Sequence, residues 1–228
     1  MNPRVISVTH TNSGGVSVAS LAVNLPTKVY KNSLLLMFTQ TGTSVNIGAT
    51  PAGWQQIDSP NLTRTQILAK IGAPTDSGGT ATIVMSTGAN ELAGTVYQIE
   101  NWDWETASAG TIASVVAYGT QGNPTTNLLT TPAATLAITN PKGILVISFI
   151  HIDWSAAFTV TLPTDISYTT GNTAASITGI YWAYGHLEGL TGNTYNPNDG
   201  SLSGSTPVNC FTVVVAGGRD KNLFDSAP

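Results

Sequence analysis

The sequence predicts an all-β fold, an antiparallel two-sheet sandwich of jelly-roll-like type with little or no helix. Three observations carry this. Short β-branched runs recur along all 228 residues, bounded by Gly, Pro, Asn and Asp. No long window keeps a 3.6-residue apolar period free of Gly, Pro or β-branched runs. Two runs, "LLLMF" at 34–38 and "ILVISFI" at 144–150, are apolar on both faces and so belong in the middle of sheets.

The expected strands follow in order. The first group is 4–9, 16–25, 33–40, 54–58, 64–71, 80–86 and 93–100. The second is 111–118, 134–138, 142–152, 156–161, 165–170, 175–188 and 206–216. In 93–100 the period of two puts Ala93, Thr95, Tyr97 and Ile99 on one face and Val96, Gln98 and Glu100 on the other. Before 54–58, Thr50-Pro51-Ala52-Gly53 has the composition of a type I turn, which holds Trp54 at a strand start. That corner is expected to drive the indole between the two sheets.

A pattern repeats along the chain. A buried strand, a Pro corner, an amphipathic strand, a Gly/Thr turn and a late strand occur over 33–101 and again over 142–218. This suggests pseudo-halves, 1–118 and 134–218, inside a single domain of residues 1–218, with 119–133 crossing between them. Residues 219–228 form a C-terminal tail, with Leu223 and Phe224 as an apolar docking anchor.

Charge is sparse: 8 basic and 12 acidic residues, with no Asp, Glu, Lys or Arg between Glu105 and Lys142, Asp165 and Glu188, or Asp199 and Arg219. Thr, Ser, Asn and Gly fill those stretches, so hydroxyls and amides solvate the surface. The net charge of −4 gives no basic footprint for nucleic acid. No 18-residue apolar run predicts membrane insertion, and "MNPRVISVTH" lacks the apolar core of a signal peptide. Sheet edges normally protected by charge have little of it here, so packing against neighbouring subunits is expected. Cys210 is the single cysteine, which excludes an intrachain disulfide and reads as a buried small hydrophobe.

Few residues invite chemistry. "NWDWE" places Trp102 and Trp104 beside Asp103 and Glu105, a combination suited to sugar or partner contact, although both indoles fall on one side of an extended stretch and then cap the core. His151 and Asp153 lie two apart, as do His186 and Glu188, while His10 stands alone. Either pair fits a metal or acid–base role, and more simply a strand-end hydrogen bond. "NPNDGS" at 196–201 lacks the ligand ladder of a calcium loop. The sequence calls for no catalytic residue, metal or cofactor.

The order of features around the corner carries a resemblance. "NSLLLMFTQTG", "ATPAGWQQID", "TQILAKIGAP", "GGTATIVMSTGANELAGTVYQIEN" and "VNCFTVVVAGG" together resemble a β-sandwich module of tailed-bacteriophage virion proteins, found in tail fibres and related surface structures. The likeness spans roughly 30–218 and departs from the module at Glu100-Asn101, where small residues are usual. It implies a non-enzymatic structural protein of the virion, a tail-fibre, tail-adaptor or capsid-decoration component made in the host bacterial cytoplasm. Its expected partners are other virion proteins and copies of itself, a trimer by analogy. A host-receptor or glycan-binding module is the alternative. A polysaccharide-degrading enzyme would need two of Asp103, Glu105, Asp153 and Glu188 across a groove.

Overall fold

The computed structural model describes residues 1–42, 47–57, 64–109, 111–121, 125–138, 141–154, 158–172 and 179–218. The first half of the chain forms β1 (Arg4–Asn12), β2 (Ser20–Asn24), β3 (Leu34–Thr41), β4 (Gln55–Gln56), β5 (Thr65–Ile71), β6 (Thr80–Val84) and β7 (Leu92–Glu100). A short helix, α1 (Trp104–Ala109), follows. The second half forms β8 (Val116–Gln121), β9 (Thr125–Leu129), β10 (Ala134–Thr135), β11 (Ile144–Trp154) and β12 (Val160–Thr161). It ends with β13 (Tyr168–Asn172), β14 (Gly179–Leu190), β15 (Thr194–Tyr195) and β16 (Gly200–Ala216).

All strand pairings are antiparallel, and the all-β sandwich is the fold. One large sheet has the order β1-β7-β3-β5-β4. In the other, the order β16-β11-β14-β13 is extended by β8 and β9 along the free side of β16, and β12 continues the β11 side. The doubly apolar runs are indeed central: β3 lies between β7 and β5, and β11 between β14 and β16. Two ribbons, β2–β6 and β10–β15, complete the architecture.

The two halves are topologically equivalent. Strands β1, β7, β3, β5 and β4 correspond in order to β8, β16, β11, β14 and β13, and ribbon β2–β6 to ribbon β10–β15. The repeat legible in the sequence is therefore a repeat of strand order. Its connectivity is jelly-roll-like within each half: the chain leaves the large sheet for the ribbon and returns at β1–β2–β3 and again at β5–β6–β7, and the second half does the same through β10 and β15, so each half builds its own sheet and ribbon. The seam also moves. β8 pairs with β16, so it belongs to the second half, and the crossing runs through α1 and the 3-10 turn Ile112–Ser114 rather than through 119–133.

Even positions of β3 and odd positions of β11 meet in the gap between the sheets, where Leu34, Leu36, Phe38, Tyr97, Ile147, Phe149 and Phe211 form the main core. The opposite face of β3 is also dry. Leu35, Met37, Leu68 and Val96 pack under the β2–β6 ribbon with Val23, Ile83 and Trp54. This explains why β3 is buried at every position and why both faces of β7 are buried up to Ile99. A third cluster, with Ile150, Ile152, Val208 and Cys210, lies on the outer face of the second sheet.

Trp54 is buried at 8% exposure, but under the ribbon rather than between the two large sheets. Gln55 pairs with Ala69 and Gln56 with Leu68, so Trp54 shares the outer-facing parity of Leu68, while Ile57 turns to the central core. The turn lies one residue later than the type I turn expected. Pro51 O accepts from Trp54 N at 3.1 Å, which places Gly53, with φ of 80°, at the third position. A left-handed third residue is what a type II turn requires. Trp54→Ala is expected to cost about 3 kcal/mol, the lower end for a large core aromatic. Urea unfolding measures it, and a loss below about 1 kcal/mol would remove the indole from the core.

The remaining differences are local. Trp102 and Trp104 would share one side only if 101–105 were extended, and α1 begins at Trp104. β9 and β15 were not anticipated, because Thr, Asn and Gly dilute their apolar signal. β16 starts at Gly200, before the apolar run begins, because β9 and β12 flank its Gly/Ser-rich first half and supply ladder partners.

Candidate functional site

The "NWDWE" segment does line a surface cleft. β7 delivers Glu100 to its rim, and Asn101 then adopts φ of 59°, the left-handed region that Asn tolerates better than most residues. This reversal turns Trp102 inward. Its backbone bridges Gly217, its indole is 2% exposed, and its Nε1–H donates to Asn32 O at 2.7 Å. Asn32 is itself left-handed, with φ of 62°. The departure at Glu100-Asn101 thus retains a glycine-like backbone.

Asp103 caps α1. Its Oδ1 accepts from Thr106 N at 3.3 Å and its Oδ2 from Thr106 Oγ1 at 2.7 Å. Its own N–H donates to Ala216 O at 3.0 Å, tying the cap to the end of β16. The cleft between this segment and the Lys31–Ser33 turn has a volume of about 370 Å³, and Trp104 and Glu105 reach it from α1. Glu100 pairs with Arg4 at 3.0 Å.

Two sequence expectations change here. Trp102 and Trp104 do not form a two-indole platform: Trp102 belongs to the core and Trp104 is half-buried at the cleft. A sugar ring has no access to the Trp102 face. Nor do all four acids share one groove: Asp103 and Glu105 do, and Asp153 does not. Asp103 and Glu105 line the cleft at the end of β16, where Asp103 N bonds Ala216, which pairs with Ile144. Asp153 lies nine residues further along β11, about 30 Å away at ~3.3 Å per residue. Glu188 accepts from Val5 N at 2.6 Å.

The two histidine pairs stay apart as well. Ile147 is opposite His186 and His151 opposite Trp182, an offset of four residues, about 13 Å along the strands. His186 Nε2 is 3.8 Å from Glu188 Oε1; burial lowers its pKa while Glu188 opposes that shift. His151 is fully buried, and its Nδ1 is 3.2 Å from Asn209 Nδ2. Burial, with Arg64 adding to it, holds its pKa down to about 3. Among the described residues no group of three or more His, Cys, Asp or Glu could hold a metal ion, and no helix is long and apolar enough to cross a membrane.

Cys210 is fully buried among Ile150, Ile152 and Val208, and burial pushes its thiol well above the ordinary range. Native protein should therefore resist a thiol reagent and react only after denaturation. Fast labelling in buffer would contradict the burial. Leu223 and Phe224 lie outside the described residues.

No protein-family model matches the chain, and no curated protein matches its sequence.

Proposed function

We propose that this chain is a non-enzymatic structural module of a tailed-bacteriophage virion, made in the host cytoplasm and mounted on the particle surface as a tail-fibre, tail-adaptor or decoration component. The observation that carries this reading is how the acids of the "NWDWE" segment and its surroundings are used. Asp103 caps a helix, Glu100 pairs with Arg4, Glu188 holds the β1 backbone, and Asp165 accepts from Tyr195 Oη at 2.7 Å. These carboxylates are employed in holding segments together. The charge-poor Thr/Ser/Asn stretches and the resemblance around the Pro51–Trp54 corner support the same reading.

The expected contacts are with other virion proteins and with copies of this chain, through uncharged sheet edges and loops, and a trimer follows from analogy alone. Contacts of this composition should persist in high salt, because there is little charge to screen. Native mass measurement at low and high salt, with imaging or crosslinking of particles, tests it. A chain that is monomeric in solution and makes only small scattered contacts on particles would overturn it.

A receptor- or glycan-binding role is the second reading, favoured by one observation: half-buried Trp104 stands in the cleft beside Lys31, Asn32 and Glu105. Trp104→Ala on a glycan array is the probe for it.

A further inference from the structure

The inner faces of the two large sheets change chemistry along their length. Phe38 stacks on Phe149 across the gap with centroids 5.0 Å apart. Two residues further along each strand the facing residues become Gln40 and His151, both 0% exposed. Gln40 is opposite Thr65 in register, and His151 is opposite Asn209. Toward the β1 edge, His10 stacks on Trp182 with centroids 4.3 Å apart and pairs through Nδ1 with Thr95 Oγ1 at 2.8 Å. On β8, Thr120 stands opposite Phe211 and so shares this inner face.

The hydrogen-bonding of this layer does not close on itself. Both amide atoms of Gln40, the hydroxyls of Thr65 and Thr120, and Nε2 of His10 are buried and have no partner among the described residues. Folded proteins rarely leave such groups unmet, and an isolated one is costly. Three of these atoms, on Gln40 and Thr65, stand opposite each other on neighbouring strands beyond the Phe38–Phe149 row, whereas His10 and Thr120 lie level with that row at opposite edges of the sandwich.

We propose that this end of the inter-sheet gap is an internal hydration site, in which ordered water joins the Gln40 amide to the Thr65 hydroxyl. A buried water makes ~3 hydrogen bonds, so about one or two molecules satisfy these groups. The chemistry favours water over an ion. The amide offers both donors and an acceptor, and the hydroxyl offers both roles. A cation would find too few acceptors, and an anion no fixed positive partner in these two residues.

A high-resolution crystal structure of the full chain reads the site without any substitution. Water density within hydrogen-bonding distance of Gln40 and Thr65 is the expected result. Gln40 bonded directly to another protein group, or standing in a gap without density, overturns the proposal. Thermal unfolding of Gln40→Leu and Thr65→Val gives an independent sign. In a hydrated layer each variant removes an anchor and strands its neighbours, so Tm falls, by about 2–4 °C per kcal/mol lost for a chain of this size. In a dry layer each variant removes an unmet polar group, and Tm rises. A rise in either variant overturns the proposal.

Discussion

Trp102→Ala is expected to lower the unfolding free energy by about 4–5 kcal/mol, the upper end for deleting a large core aromatic. Two losses combine. The indole is 2% exposed within the central core, and its removal leaves a cavity between the last turn of β7 and the end of β16. The Asn32 carbonyl also loses its donor at 2.7 Å, and this bond helps to hold the left-handed turn that leads into β3. Trp104→Ala, by contrast, truncates a half-buried ring at the cleft and should cost only about 1–2 kcal/mol. Urea unfolding of the two single variants separates them. Equal losses would show that Trp102 is no more central than its neighbour. The difference also governs how the cleft is probed: a double variant that lost glycan binding would report a damaged fold, whereas Trp104→Ala alone reports on the surface.

The fold was legible wherever one physical signal dominated. β3 and β11 announce themselves because a strand covered on both faces must be apolar at every position, and their centrality followed from that alone. The strand-order repeat was visible too, because each half spaces its buried strand, Pro corner and late strand alike. What the sequence could not convey was which strands pair. The same series of strands fits one jelly roll divided in two or two equivalent jelly-roll-like halves, and the pairing of β8 with β16 distinguishes them. α1 was hidden because one turn of helix needs only a cap, and the Asp103–Thr106 spacing was overshadowed by the two tryptophans. Trp54 could be placed in a core but not in a particular one, since the β2–β6 ribbon that covers it comes from distant residues. The candidate site was read least well. Register along β11 and β14 sets Asp153 apart from the cleft acids Asp103 and Glu105 and sets His151 apart from His186, and register does not follow from residue type.

Mild acid should destabilise the protein by about 3 kcal/mol between pH 7 and pH 5, before most carboxylates titrate. The cause is two buried imidazoles. Burial lowers His10 to a pKa of about 4, and burial together with the positive charge of Arg64 lowers His151 to about 3, from an ordinary value of 6.5. His10 is held by Thr95 and its stack on Trp182, and His151 lies beside Asn209. The sign follows from which state binds protons. Below pH 6.5 the unfolded chain protonates both rings while the folded chain does not, so stability falls as pH falls. The slope approaches ~1.4 kcal/mol per pH unit for each ring and levels off for His10 near pH 4 and for His151 near pH 3. His186 is lowered in the same direction, with Glu188 pulling against it, and adds a smaller part. Urea unfolding at pH 7, 6 and 5 measures the slope, and imidazole NMR signals that do not titrate above pH 5 in the native protein identify its source. Stability that is constant or rising from pH 7 to pH 5 would mean that these rings reach solvent or an acid in the folded state, and the polar layer between the sheets would then be open rather than internal.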